Sequence, residues 1–362
     1  MNRFLQKLFS WYDDNARDFP FRRTNDPYLI WLSEIIMQQT RIEQGVPYYN
    51  KFTEAFPAID DLAAAGEDEV LKQWQGLGYY SRARNLHWTA KEIVVKYGGT
   101  FPGTYEEIRS LKGVGDYTAS AIASVCFGLP CPVMDGNVIR FITRHFGIES
   151  DVSTASAKKE ILAVLSRLMN ELNETEVSSS SVNGLFNQAM IEFGAMYCIP
   201  RNPGCQACIF NFTCYAYQNG IVTLLPRKKQ PKELRTRYLN YLVMHIHGKN
   251  GIYFTKRTGN DIWKGLYEFP LIETSDAMSP GKLMKSGEWQ QYFRLTPVTV
   301  RSATRSVTHL LSHQKINARF IDLVISGPYF GPGELIPHSD IHKLPVPRLI
   351  EKYLTGETRL LF

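Results

Sequence analysis

The stretch Leu111-Lys112-Gly113-Val114-Gly115-Asp116-Tyr117-Thr118-Ala119-Ser120-Ala121-Ile122-Ala123 joins the end of one helical pattern to the start of another. Two glycines in a tight turn before a helix N-terminus leave backbone N–H groups unobstructed, and such a turn holds a phosphate without needing a cation. The same turn also serves as a plain helix–helix connection, so both readings stand. Twenty residues beyond Gly115 comes Val133-Met134-Asp135-Gly136-Asn137-Val138. Asp135 either caps the helix that follows or, at a helix entrance close to a bound backbone, faces a developing positive charge.

Upstream, Glu34 interrupts a strongly apolar helical run that includes Ile30, Trp31, Ile35, Ile36 and Met37. An ionised carboxylate is costly there unless paired, and desolvation raises its pKa. Glu34 is therefore either a proton donor near neutral pH or a surface glutamate on an amphipathic helix. Downstream, Cys198, Cys205, Cys208 and Cys214 fall within seventeen residues at the spacing C-x6-C-x2-C-x5-C. Two disulfides packed so tightly need loop geometries that are rarely available, so the thiols point to a metal centre. Structural zinc sites usually join two close pairs, and only Cys205 and Cys208 form one here. The spread favours a 4Fe-4S cluster, while spacing alone leaves zinc open. Cys126 and Cys131 flank a turn and read as buried small side chains.

The 362-residue chain is long for one core and comfortable for two domains. Its formal charge of +6 is compatible with a polyanionic partner, and 12% aromatic residues fill cores and leave rings to stack on bases. The chain shows no secretory signal and no apolar run long enough to span a membrane, so reduced thiols in a cytoplasmic setting are expected.

From Met1 to about Tyr217 the pattern is helical, with Asp26 before Pro27, Thr104 before Glu106 and Glu107, and Asp135 before Val138 as expected caps. From about Tyr238 the period changes. Tyr238 to Ile246 and Ala318 to Ile325 read as strands, rich in branched and aromatic residues. Between the blocks, Pro226-Arg227-Lys228-Lys229-Gln230-Pro231-Lys232 reads as an exposed basic linker. The expectation is a mostly α domain over 1–225 with the metal loop at 198–214, a linker at 226–235, and a smaller α+β domain over 236–362. No internal repeat is evident, and Ser178 to Ser181 is the sole low-complexity stretch.

Three further motifs carry a family resemblance: Trp31-Leu32-Ser33-Glu34-Ile35-Ile36-Met37-Gln38-Gln39-Thr40, Gly76-Leu77-Gly78-Tyr79-Tyr80-Ser81-Arg82-Ala83-Arg84-Asn85-Leu86, and Met134 to Val138. With the glycine turn and the four-cysteine loop, the chain resembles the helix-hairpin-helix DNA glycosylases of the endonuclease III superfamily. Within them it resembles the MutY-type adenine DNA glycosylases, over essentially its whole length. The resemblance implies that Glu34 protonates adenine and Asp135 stabilises an oxocarbenium-like sugar, the two-carboxylate logic of glycoside hydrolysis. It implies an adenine pocket of Arg17, Glu34 and Gln188, with Asn137 and Tyr117 around the sugar and the acid. Gln39 and Tyr79 are expected to enter the duplex with Met37 supporting them, and Gly113 and Gly115 to hold the DNA backbone. The four cysteines are expected to hold a 4Fe-4S cluster that orders a DNA-binding surface. Left to themselves, Gln39 reads as a helix-end polar residue and Tyr79 as core.

Tyr117 stands where bifunctional relatives carry a lysine. A phenol forms no imine, so a monofunctional glycosylase is expected. Lys112 replaces the more usual proline, which leaves a weak lyase activity open, and Phe21 replaces a tryptophan in the pocket wall. In the second domain, Trp263-Lys264-Gly265-Leu266-Tyr267-Glu268-Phe269-Pro270 resembles the landmark of the Nudix-like module of these proteins. The metal-binding run R-E-x-x-E-E of Nudix hydrolases is missing, so no pyrophosphatase is expected. Leu311, Ser312 and His313 match the Phe-Ser-His loop that recognises 8-oxoguanine, with Leu311 in place of the aromatic. Without the resemblance, His309 and His313 read as two histidines at helical spacing on a solvated face. The expected protein is thus a monomeric, cytoplasmic, bacterial-type base-excision-repair enzyme. It removes adenine opposite 8-oxoguanine or guanine from double-stranded DNA and associates with the nucleoid during repair. A bifunctional endonuclease III-like glycosylase/lyase and a non-catalytic mismatch-binding protein are the alternatives.

Overall fold

Helices fill the first part of the chain because apolar side chains recur at helical spacing behind residues that satisfy the free N–H groups of each first turn. The computed structural model describes residues 2–174, 182–228, 234–294, 296–329 and 331–357. The serine run Ser178 to Ser181 and linker residues 229–233 lie outside the described residues. The helices are α1 (Arg3–Asn15), α2 (Pro27–Met37), α3 (Ile42–Ala55), α4 (Ile59–Ala64), α5 (Glu67–Gln73), α6 (Ser81–Tyr97), α7 (Tyr105–Ser110), α8 (Asp116–Phe127), α9 (Gly136–Phe146), α10 (Ala155–Asn173), α11 (Val182–Met196) and α12 (Tyr215–Gln218). Asp26 accepts from the Tyr28 N–H at 2.8 Å to open α2, and Thr104 accepts from the Glu107 N–H at 3.3 Å to open α7.

The chain divides into two compact units, Met1–Ala64 with Asn85–Gln230 and Ala65–Arg84 with Pro231–Phe362. In the first, α1, α9 and α11 close a core in which Phe4, Phe141, Phe193 and Phe210 stack or tilt on one another at centroid distances of 4.5 to 5.7 Å. Each buried ring of this kind contributes about 1.5–3 kcal/mol. A Cβ at Gly194 on α11 would stand 2.6 Å from the Asn137 carbonyl oxygen, so only glycine lets α11 approach the start of α9 this closely.

The second unit holds β1 (Arg235–Ile246), β2 (Ile252–Lys256), β3 (Tyr267–Glu268), β4 (Leu271–Thr274), α13 (Pro280–Leu283), α14 (Gly287–Phe293), β5 (Val298–Ala303), β6 (Val307–Leu310), β7 (Gln314–Ile325), β8 (Glu334–Ile336) and α15 (Arg348–Leu354). A five-stranded sheet has the order β4-β1-β7-β5 with β6 also on β7, and a smaller one runs β3-β2-β8. β1 and β7 pair in parallel from Arg235 opposite Gln314 to Ile246 opposite Ile325. Both bury apolar side chains on both faces along much of their length, as a covered parallel pair requires. Leu239, Tyr241 and Val243 enter one cluster with Ile316, Ala318 and Phe320, while Leu242 and Met244 enter the other with Ile321, Leu323 and Ile325.

Ala65–Arg84 falls inside the stretch expected as one domain over 1–225, yet it clusters with the C-terminal residues. The Lys72 ammonium donates to the Leu344 carbonyl at 3.1 Å, the Gln75 amide to Glu351 at 2.9 Å and the Tyr80 hydroxyl to the Val346 carbonyl at 3.3 Å. Among the described residues no helix is long and apolar enough to cross a membrane.

Candidate active site

α2, α8, α9 and α11 all send side chains into one cavity of about 380 Å3 in the first unit. Glu34, Tyr117, Asp135, Asn137, Arg17 and Gln188, all expected near the base or its sugar, line it, and so does Met37, expected instead to support the residues that enter the duplex. Asp135 is the N-cap of α9. The N–H groups of Asn137 and Val138 donate to its Oδ1 at 2.9 and 2.7 Å, and Asn137 Nδ2 donates to Oδ2 at 2.8 Å. Arg140 donates in turn to Asn137 Oδ1 at 2.9 Å, which fixes the amide so that its nitrogen faces Asp135. The cap and the site therefore use the same carboxylate.

Glu34 lies on α2 among Ser33, Ile35 and Ile36, which are buried, and its remaining surface opens to the cavity. Burial, aided by the Asp135 charge and opposed by a hydrogen bond with Tyr117, brings its carboxyl up to about 7. Burial raises the Asp135 carboxyl above its usual range, and the hydrogen bonds from Val138 and Asn137 and the Arg140 charge offset only part of that rise. Burial and the two carboxylates push the Tyr117 phenol well above its usual range, so it serves as a neutral donor. Two carboxyl groups in one cavity thus differ in environment: Asp135 is satisfied as an anion, and Glu34 holds its proton near neutral pH.

Glu192, Arg22 and Phe19 line the same cavity and were not singled out from the sequence. Glu192 accepts from Arg17 Nε at 2.7 Å and from Arg22 Nη2 at 2.6 Å. Its signal was present in Met190-Ile191-Glu192-Phe193, a carboxylate within an apolar helical run like that of Glu34. Gln188, one turn earlier on α11, accepts from the Tyr12 hydroxyl at 3.1 Å. Phe21 lines the cavity too, edge-on to Tyr49.

Gln39 is not among the lining residues; it follows α2, exposed, with φ +56°. Gly113 takes φ +83° in the turn from α7 to α8, and Gly115 caps α8. A Cβ on Gly113 would stand 2.9 Å from the Asn85 Cβ, so the turn needs glycine there. In the second unit, Tyr79, Ser312 and His313 share a cavity of about 460 Å3 with Trp263, His309 and Leu311. Tyr79 is 42% exposed rather than core and has φ +48°. Left-handed backbone at a non-glycine residue costs on the order of 1–3 kcal/mol and gathers at functional sites. Ser312 Oγ and His313 Nδ1 lie 3.1 Å apart. His309 sits in β6 and His313 in the turn to β7, where Leu310 pairs with Lys315, so the helical spacing of the two histidines is a hairpin instead.

All six cysteines are free thiols. Cys198, Cys205, Cys208 and Cys214 line one small cavity, bordered by Arg144, whose Nη1 donates to Cys198 Sγ at 3.5 Å. The Phe210 N–H donates to Cys208 Sγ at 3.4 Å. Burial, reinforced by neighbouring thiols, raises Cys208 to about 11, so four thiolates here need a cationic partner. Among the described residues no three or more His, Cys, Asp or Glu side chains are gathered closely enough to hold a metal ion. An all-thiol set spread around a shared cavity, with N–H groups aimed at sulfur, fits a multi-iron cluster.

Two family models match the chain: the HhH-GPD superfamily base excision DNA repair protein over residues 32–168 and the NUDIX domain over residues 241–356. An adenine DNA glycosylase from Buchnera aphidicola (subspecies Baizongia pistaciae) is 36% identical over 280 residues, covering 76% of each chain. The human adenine DNA glycosylase is 30% identical over 379 residues, covering 90% of this chain and 67% of its own. Among solved structures, a thermostable thymine-DNA glycosylase superposes with TM-score 0.52 at 27% identity, over 60% of this chain and 95% of that one.

Proposed function

We propose, for a chain that belongs to the adenine DNA glycosylase family, that the cavity between Glu34 and Asp135 takes an extruded adenine and hydrolyses its bond to deoxyribose. The observation that carries this is the pairing, in one cavity, of an acid held at about 7 with a carboxylate satisfied as an anion. Flipping the nucleotide out of the duplex costs a few kcal/mol of stacking and pairing. Glu34 then donates its proton to the base, and the electrons of the N-glycosidic bond leave with it. The sugar cation that forms faces Asp135, which is close enough to the helix start to be fixed by three hydrogen bonds. Water adds its oxygen to the sugar carbon and gives up a proton to the site's carboxylates. No amine stands at 117, so the abasic strand stays intact.

The substrate is duplex DNA with adenine opposite 8-oxoguanine or guanine, and the Tyr79–Ser312–His313 cavity supports recognition of the oxidised base. Gln39 and Tyr79, both with left-handed backbone, are the residues that enter the duplex, and the Gly113–Gly115 turn holds a phosphate. Cys198, Cys205, Cys208 and Cys214 would hold a 4Fe-4S cluster, which would order the loop as a DNA-binding surface.

The test is incubation with duplexes carrying adenine opposite 8-oxoguanine, guanine or thymine, with and without alkali. Scission only after alkali, and only for the first two, is expected. Scission without alkali, with efficient borohydride trapping, would establish a lyase. Binding without any scission would establish a non-catalytic protein.

A further inference from the structure

One buried carboxylate in the cavity wall is not used by this chemistry. Glu192 has no exposed side-chain surface, whereas the Arg17 side chain bound to it keeps 35% of its surface. Glu192 accepts four hydrogen bonds: from Arg17 Nε at 2.7 Å, Arg17 Nη2 at 3.0 Å, the Arg17 backbone N–H at 3.1 Å and Arg22 Nη2 at 2.6 Å. Arg22 Nη1 also donates to the Arg17 carbonyl at 2.7 Å. Both guanidinium groups lie over the Phe19 ring, at 5.0 and 4.9 Å from its centroid.

The cluster contains two cations and one anion, and its order matters. All three residues border the cavity, but Glu192 keeps no exposed side-chain surface while Arg17 and Arg22 keep 35% and 14% of theirs, so the cations are the more accessible partners. Burial pushes Glu192 up, but the hydrogen bonds from Arg17 and Arg22 and the charge of Arg22 outweigh it and hold the carboxyl at about 2. The cluster therefore keeps one net positive charge at every pH where the protein works. Two of the three Arg17 guanidinium nitrogens are committed to the fork with Glu192, so the plane of the group is fixed and Nη1 is the nitrogen outside the fork.

A buried ion pair contributes little to stability compared with apolar packing of the same volume, so stability alone does not account for placing this one at a cavity wall. A fixed cation beside a departing base does account for it. As the N-glycosidic bond lengthens, its electron pair moves onto the base ring, and positive charge that needs no reorientation lowers the barrier. We propose that Glu192 is a positioning residue, holding Arg17 and Arg22 as a rigid cationic clamp on the base that leaves the cavity. This rests on the reading of the cavity as the adenine site. Glu34 still supplies the proton; the guanidinium groups stay protonated throughout and transfer nothing.

The test compares native protein with Arg17→Met, Arg17→Lys, Glu192→Gln and the Arg17→Met/Glu192→Gln double variant. The readouts are the single-turnover rate of adenine release from a mismatched duplex between pH 6 and 9 and the affinity for a duplex with a 2′-fluoro, uncleavable adenine nucleotide. Arg17→Met and Glu192→Gln should each slow release about 100-fold. Affinity should stay within about threefold, and Glu192→Gln should add less than about threefold to Arg17→Met. The pH midpoint set by Glu34 should not move, because Arg17, Arg22 and Glu192 are not among the groups that shift it. Arg17→Lys keeps the charge without the fork and should be as slow as Arg17→Met, which tests the inference even if Glu192→Gln does not fold. Native rate in Arg17→Lys, a moved midpoint, or an equal effect of Glu192→Gln with and without Arg17 would each overturn it. Native protein that releases no adenine would refute the reading of the cavity itself, a separate outcome.

Discussion

Replacing Glu34 with glutamine separates what this residue does for the reaction from what it does to the fold. With the carboxyl at about 7, about half of the molecules hold the proton at pH 7 and about one in ten at pH 8. The native rate should therefore fall about tenfold per pH unit above the midpoint. Glutamine has no proton to give, so the variant should lose about 10²- to 10⁴-fold at pH 6 and show no such limb. Stability should move the other way. The carboxyl rises from 4.5 unfolded to about 7 folded, so the folded state binds the proton more tightly. Native stability then declines as pH rises from 4.5 to 7, by at most about 3 kcal/mol, and stays lower above that. Glutamine keeps an oxygen to accept from Tyr117 and escapes this decline, so the variant should be the more stable protein at pH 8. Single-turnover release from pH 5.5 to 9 and urea unfolding from pH 4 to 8 measure the two effects. A variant that keeps more than a tenth of native activity, or native stability that does not decline over that range, would refute the assignment of Glu34 as a buried acid.

Asp135→Asn keeps an oxygen for the Asn137 and Val138 N–H groups but removes the charge and sets its own amide N–H2 against Asn137 Nδ2, so release should slow at least about 100-fold with a loss of stability of about 1–3 kcal/mol; unaltered release would place the sugar cation elsewhere. Ser312→Ala combined with His313→Ala should reduce the ratio of release rates for 8-oxoguanine over guanine, with modest loss on the undamaged mismatch, and an unchanged ratio would contradict the loop assignment. Gly113→Ala meets Asn85 at 2.9 Å in a left-handed turn. It should destabilise the protein by about 1–3 kcal/mol and weaken matched and mismatched duplexes alike; a selective loss for mismatches would show that the turn reads more than the backbone.

The parts legible in the sequence are those whose cause is local. Asp26, Thr104 and Asp135 each stand one residue before a helix and accept from its first N–H groups, a relation written in a few consecutive residues. The strand content of Tyr238 to Ile246 was equally plain, but its parallel partner lies more than seventy residues away and no local pattern selects it. Glu34 stood out because an acid in an apolar run is costly. Glu192 presents the same signal, yet its meaning depends on Arg17 and Arg22, 175 and 170 residues earlier. Pairing at that distance is decided by packing. For the same reason the clustering of Ala65–Arg84 with the C-terminal unit was not visible, since Lys72, Gln75 and Tyr80 find their partners more than 260 residues on. His309 and His313 stand four residues apart, as on one helix face, yet the first pairs with Ile316 in β6 and the second lies in the turn to β7.

The central claim is that an adenine sits between a protonated Glu34 and an ionised Asp135. A crystal structure with a duplex carrying the 2′-fluoro adenine nucleotide opposite guanine tests it most directly. The expected result is an extruded adenine with a ring nitrogen about 2.6–3.2 Å from a Glu34 oxygen and the sugar facing Asp135. An adenine still stacked in the duplex, or seated with its ring nitrogens away from Glu34, would contradict the account.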